Sequence, residues 1–192
     1  FNADGFDDAA VAGYDDMVTA IDGSTGSVLW QFPDPGDQIY RKGLKAADLN
    51  ADGDAEVIAG AEDNMVYAIH GDNGTTFWSQ YVGGEANEVD LAQMNGTGPL
   101  DVIVAVGGGP EGDNVTVLDG SDGSILWHYA TPAEVAHVEA IDGNDDGVMD
   151  VAAGLAPYER QVIMIDGDTR LPLWSMPVQV ESNIHDMGGG DL

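Results

Sequence analysis

Asp48-Leu49-Asn50-Ala51-Asp52-Gly53-Asp54-Ala55-Glu56 runs directly into Val57-Ile58-Ala59-Gly60. Oxygen-bearing side chains stand at loop positions 1, 3, 5 and 9, with glycine at position 6. That spacing turns carboxylates and an amide inward around a hard cation, while the glycine takes a turn other residues resist. The pattern returns at Asp142, Asn144, Asp146, Gly147 and Asp150, ahead of Val151-Ala152-Ala153-Gly154. Asn2, Asp4, Gly5 and Asp8 repeat it at the start of the sequence. A decayed copy runs from Gln93 to Asp101, with Gln93, Thr97 and Pro99 at positions 1, 5 and 7, and a further copy begins at Asp191.

The opening of each loop invites comparison with an EF-hand, whose twelfth position carries a bidentate Glu and whose flanks are helices. Here position 12 is Ala59 or Ala153, and a short apolar run ending in glycine follows, which reads as a strand. The carboxylate at position 9 closes the ligand set early. The expected Ca2+ ligands are therefore Asp48, Asn50, Asp52, the carbonyl of Asp54 and Glu56 in one loop. In a second they are Asp142, Asn144, Asp146, the carbonyl of Val148 and Asp150, and in the first Asn2, Asp4, the carbonyl of Phe6 and Asp8. The Gln93 loop retains a single anionic ligand, Asp101, and is expected to hold no calcium.

Two markers share one period. The loops begin at 48, 93, 142 and 191, and the four tryptophans fall at 30, 78, 127 and 174. Each copy reads as a first strand after the loop, a second strand, an Asp/Gly-rich tight turn, a Trp-bearing third strand and a fourth segment. The fourth segments lie near Lys42–Ala47, Glu88–Ala92, Ala136–Ile141 and Ile184–Met187. No stretch keeps an apolar 3.6-residue period long enough for a helix. Four short antiparallel strands in about 48 residues make the unit of a β-propeller blade. The expected fold is all-β, one propeller region over 1–192 with repeats at 1–47, 48–92, 93–141 and 142–190, either as part of a larger propeller or, at this length, as a closed four-bladed ring.

Asp48 to Gly60 resembles the calcium-loop repeat of FG-GAP/VCBS propellers. Ala20-x-Asp22-x-x-Thr25-Gly26-Ser27-x-x-Trp30 is similar to the tryptophan-docking motif of quinoprotein-type propellers, in which the indole packs between neighbouring blades. The resemblance implies buried interblade tryptophans. Later copies depart from the motif: His70 and Asn73 replace Asp22 and Thr25, Val117 replaces Ala20, and Arg170 replaces the turn glycine.

Composition bounds the partners. Asp and Glu number 35 against 5 Lys and Arg, a net charge of -30, so nucleic acid and anionic membrane are excluded as direct partners. No apolar run reaches the roughly 20 residues a bilayer-spanning helix needs, so no membrane insertion is expected. The absence of Cys removes disulfides and thiolate chemistry. His70, His128, His137 and His185 occupy different repeat positions and suggest no shared metal site. Arg41, Lys42 and Lys45 read as internal partners of acidic neighbours, or as an anchor for a partner's carboxylate. The functional expectation is a non-catalytic, calcium-stabilised scaffold, adhesion or recognition module. It would be secreted or at the cell surface, meeting protein or glycan, and open to assembly with further copies or blades. The alternatives are a polysaccharide lyase or hydrolase and a quinone-cofactor dehydrogenase, for which no base or cofactor ligand set stands out.

Overall fold

The computed structural model describes residues 1–13, 17–33, 39–156 and 160–178, excluding the side chains of 39–42. Every helix or strand in them is a strand. β1 (Ala9–Ala12), β2 (Met17–Ile21) and β3 (Val28–Pro33) form a three-stranded antiparallel sheet. β4 (Ile39–Ala47), β5 (Glu56–Ala61), β6 (Met65–Ile69) and β7 (Thr76–Tyr81) form a four-stranded meander. β8 (Glu85–Ala92), β9 (Asp101–Gly107), β10 (Asn114–Leu118) and β11 (Ile125–Ala130) form the next. β12 (Val135–Ile141), β13 (Asp150–Leu155), β14 (Gln161–Ile165) and β15 (Pro172–Pro177) form the last. The leading strands β4, β8 and β12 lie side by side, and β4 meets β8 in one parallel bridge at Lys42 and Glu88. The architecture is a β-propeller.

The sheets are offset from the sequence repeats by one strand. Each nine-residue loop is the connection of a hairpin, closed by the cross-strand pairs Ala47↔Glu56, Ala92↔Asp101 and Ile141↔Asp150. The segment before a loop must therefore pair with the strand after it. The divisions at 47/48, 92/93 and 141/142 separate β4, β8 and β12 from their own sheets. The segment expected at Ile184–Met187, and Asp191, lie outside the described residues.

The core consists of three layers, each between successive blades. Val18, Ala20, Trp30 and Phe32 meet Val57, Ala59, Ala61 and Ile69; Ile58, Val66, Ala68 and Trp78 meet Val102, Val104, Val106 and Leu118; Ile103, Ala105, Val117 and Trp127 meet Val151, Ala153, Leu155 and Ile163. Alternation explains the layering, because side chains on successive residues point to opposite sheet faces. Both faces of β5 and β9 are covered, so both strands are buried at every residue. β15 has no blade against its outer face among the described residues and is exposed throughout.

Candidate functional site

The four loops share one backbone. Position 4 is left-handed at Ala3, Ala51, Asp145 and Gly96, with φ of 56°, 61°, 62° and 74°. Position 6 is left-handed at Gly5, Gly53, Gly98 and Gly147. A non-glycine residue in that region costs roughly 1–2 kcal/mol, and loop side chains hold the conformation by accepting backbone N–H groups. In the second loop, Asp48 accepts from Ala51 N at 2.7 Å and Gly53 N at 3.1 Å, Asn50 from Asp52 N at 2.8 Å, and Asp52 from Asp54 N at 2.8 Å. In the fourth, Asp142 accepts from Gly147 N at 3.0 Å, Asn144 from Asp146 N at 3.0 Å, and Asp146 from Val148 N at 2.8 Å. The first follows suit, with Asn2 accepting from Asp4 N at 3.0 Å and Asp4 from Phe6 N at 2.9 Å. The Phe6 side chain is exposed, so the residue takes part in the loop through its backbone.

The closing carboxylates sit deepest. Glu56, Asp101 and Asp150 are all buried. Burial pushes the Glu56 carboxyl up; the Leu49 N–H opposes this and Asp52 adds to it. Burial likewise raises Asp150, against the N–H groups of Gly167 and Gly143, with Asp166 and Asp146 pushing in the same direction as burial. Desolvation plus like charge makes these groups the natural receivers of a bound cation. Exposed Asp52 is held low chiefly by the Asp54 N–H and the Asn50 amide.

The third loop keeps the fold but changes the donor. The Gln93 Nε2 amide donates to the carbonyls of Thr97, Gly98 and Pro99 at 3.2, 3.1 and 2.9 Å. An amide thus meets the carbonyls that a cation would otherwise draw inward.

A second hairpin faces each loop, and sequence reasoning did not join it to the site. Its first residue is Asp22, His70, Asp119 or Asp166, at the same period as the tryptophans. Asn2 Nδ2 donates to Asp22 at 3.1 Å, Ser24 Oγ to Asp4 at 3.1 Å, and Gly167 N to Asp150 at 2.9 Å. His70 Nδ1 lies 3.5 Å from Glu56. The regular spacing of these turn residues was the available signal; reading the histidines alone concealed it.

The tryptophans form the blade seams. Trp30 donates to Gly71 O at 2.6 Å and Trp78 to Gly120 O at 2.8 Å, each in the following blade. A Cβ on Gly74 would stand 2.8 Å from the Trp30 ring, and one on Gly123 2.7 Å from Trp78, so glycine is what lets the turn lie on the indole. Arg170 holds the same turn position with φ 60°. There Trp127 remains buried, but its N–H finds no partner among the described residues, and a cavity of about 540 Å³ opens beside Arg170 and Gly167. Trp174 corrects the expectation of four buried tryptophans: it is 43% exposed, since no described blade follows β15.

Of the basic trio, Lys45 pairs with Asp90 of the neighbouring blade at 2.9 Å, and the side chains of Arg41 and Lys42 are outside the description. Asp90 also accepts from Ala140 N at 3.0 Å, so one carboxylate ties β4, β8 and β12 together. No helix among the described residues is long and apolar enough to cross a membrane.

Tryptophan-docked blades around adjacent leading strands define a PQQ-type propeller. A PQQ-repeat family model described as outer membrane protein assembly factor BamB matches residues 7–108 and 62–188, and the chain belongs to that family. The crystal structure of BamB from Moraxella catarrhalis is similar with a TM-score of 0.60 at 20% identity, over 93% of this chain and 50% of that one. The chain therefore spans half the length of that protein. No curated protein matches it. The family match bears out the quinoprotein half of the sequence resemblance and not the FG-GAP/VCBS half.

Proposed function

We propose that this chain is a non-catalytic propeller module, stiffened by calcium, that serves as a protein-binding scaffold at the cell envelope or exterior. The observation that carries the calcium part is the pair of loops Asp48–Glu56 and Asp142–Asp150. Each folds acidic side chains around a buried closing carboxylate that its acidic neighbours push higher. Asp48, Asn50, Asp52, Glu56 and the Asp54 carbonyl would hold one ion, and Asp142, Asn144, Asp146, Asp150 and the Val148 carbonyl another. Asn2, Asp4, Asp8 and the Phe6 carbonyl would contribute to a third. Calcium would supply positive charge that neutralises the converging oxygens. The loop residues fix the hairpins that begin β5 and β13, and with them the face of the propeller. The FG-GAP/VCBS likeness of the loops supports this reading. The description of the matched family as an assembly factor supports protein recognition over catalysis.

Titration calorimetry with calcium tests it. At least two sites are expected, and Asp52→Ala removes one while the Asp142 loop still binds. At calcium about tenfold above Kd, each site stabilises by roughly 1.4 kcal/mol through linkage, so a chelator lowers Tm. Absence of binding heat, with Tm unchanged by chelator, overturns the proposal.

A further inference from the structure

The second loop departs from the other copies at two positions that face each other. Its closing residue is Glu56 where the others have Asp8, Asp101 and Asp150, and the facing hairpin opens with His70 where the others have Asp22, Asp119 and Asp166. In the first and fourth copies a hairpin glycine N–H holds the closing carboxylate: Gly23 N to Asp8 and Gly167 N to Asp150, both at 2.9 Å. The third does the same with Gly120 and Asp101. Glu56, one methylene longer, anchors Oε2 on Leu49 N at 2.9 Å. Its Oε1 turns to Asn50 Nδ2 at 2.9 Å and to His70 Nδ1 at 3.5 Å. Ligand atoms of Asp52, Glu56 and His70 all lie within 4.8 Å of one another.

The imidazole is also held in place. Its ring packs on Phe77 with centroids 5.0 Å apart, and His70 N donates to Thr75 O at 2.8 Å. Calcium takes oxygen ligands, whereas imidazole with carboxylates suits borderline first-row metals. Zinc–ligand bonds of about 2.0–2.2 Å put neighbouring tetrahedral ligand atoms about 3.3–3.6 Å apart, close to the Glu56–His70 separation.

We propose that Asp52, Glu56 and His70 form a zinc-class site, so that the second loop, which takes calcium when calcium alone is offered, prefers a divalent transition metal when both are present, while the Asp142 loop remains a calcium loop. The proposal rests on reading these loops as cation sites. The imidazole binds as the neutral base, so a histidine that was protonated releases its proton as the metal enters.

The test compares wild type with His70→Asp, which installs the residue of the other three copies and so preserves the turn. Zn2+ is titrated by calorimetry, and Co2+ by its visible absorption, both with excess calcium present. Wild type is expected to take one equivalent of either metal, with a cobalt spectrum showing nitrogen ligation. His70→Asp should weaken that binding at least tenfold and leave calcium uptake intact. Zinc and cobalt binding unchanged in His70→Asp, or no binding by wild type above calcium, overturns the inference. The two readings fail separately: calcium at the Asp142 loop without a His70 effect sinks this one alone. His70-dependent zinc binding with no calcium at either loop sinks the calcium reading alone.

Discussion

Gly123→Ala isolates the energy of a blade seam when set against Gly26→Ala. Both glycines occupy the same turn position, with φ of 75° and 72°, so placing an alanine in the left-handed region costs each about 1–2 kcal/mol. The surroundings differ. The new Cβ at Gly26 meets nothing within 4 Å, whereas at Gly123 it falls 2.7 Å from Trp78 Cε3 and 2.8 Å from Cδ2. The indole cannot easily retreat, because it is 8% exposed and its Nε1 is bonded to Gly120 O. Overpacking of a filled site adds about 1–3 kcal/mol. The strain common to both variants cancels in the difference, leaving that second quantity. For a chain of this size it corresponds to about 2–12 °C in Tm. Urea unfolding should show a lower midpoint for Gly123→Ala than for Gly26→Ala at unchanged slope. Equal losses in the two variants would refute the Trp78–Gly123 seam as a tightly packed contact.

Trp78→Ala should cost about 3–5 kcal/mol by thermal or urea unfolding, and Trp174→Ala less than half of that; equal costs would mean β15 is covered. Gln93→Asp removes the donor to three carbonyls and should lower stability by roughly 2–4 kcal/mol in chelator, with calcium restoring it. Failure of calcium to restore the loss would show that the third loop lacks the ligand geometry. Acidity should act through Glu56 and Asp150. Their folded-state pKa values are raised, so without metal their contribution falls as pH rises through and above the ordinary carboxylate range, near 4, and returns on acidification. Calcium requires the ionised forms, so the Tm gain from calcium should shrink between pH 7 and about pH 4. A gain that persists undiminished at pH 4 would place the ion elsewhere.

The fold was legible because two local signals kept the same period. The loop pattern marks each hairpin, and Trp30, Trp78, Trp127 and Trp174 mark the strand that docks. Strand identity followed from alternation and turn chemistry. Sheet membership did not follow, because a repeat has no intrinsic beginning; only the pairing of Ala47 with Glu56 reveals where a blade starts. The site was half legible. Loop ligands are neighbours in sequence, but His70 reaches Glu56 from the end of the adjacent strand, and its place there is set by the β5–β6 pairing and not by spacing along the loop. The exposure of Trp174 was hidden for a different reason: burial at a seam depends on the next blade, not on the tryptophan's own repeat.

The one-strand offset has a mechanical consequence. Residues 48–92, one sequence repeat, supply three strands to one sheet and β8 to the next. A sequence repeat therefore cannot detach without pulling a strand from its neighbour's sheet, whereas a blade is one contiguous stretch of chain. A cut at 92/93 would strand β8 without β9, its hydrogen-bonded partner, while a cut between β7 and β8 leaves both flanking sheets whole. Local opening should accordingly follow the contiguous meanders, β4–β7 or β8–β11, and not the 48-residue repeats. Proteolytic nicking between β7 and β8 should release fragments that keep their sheets intact.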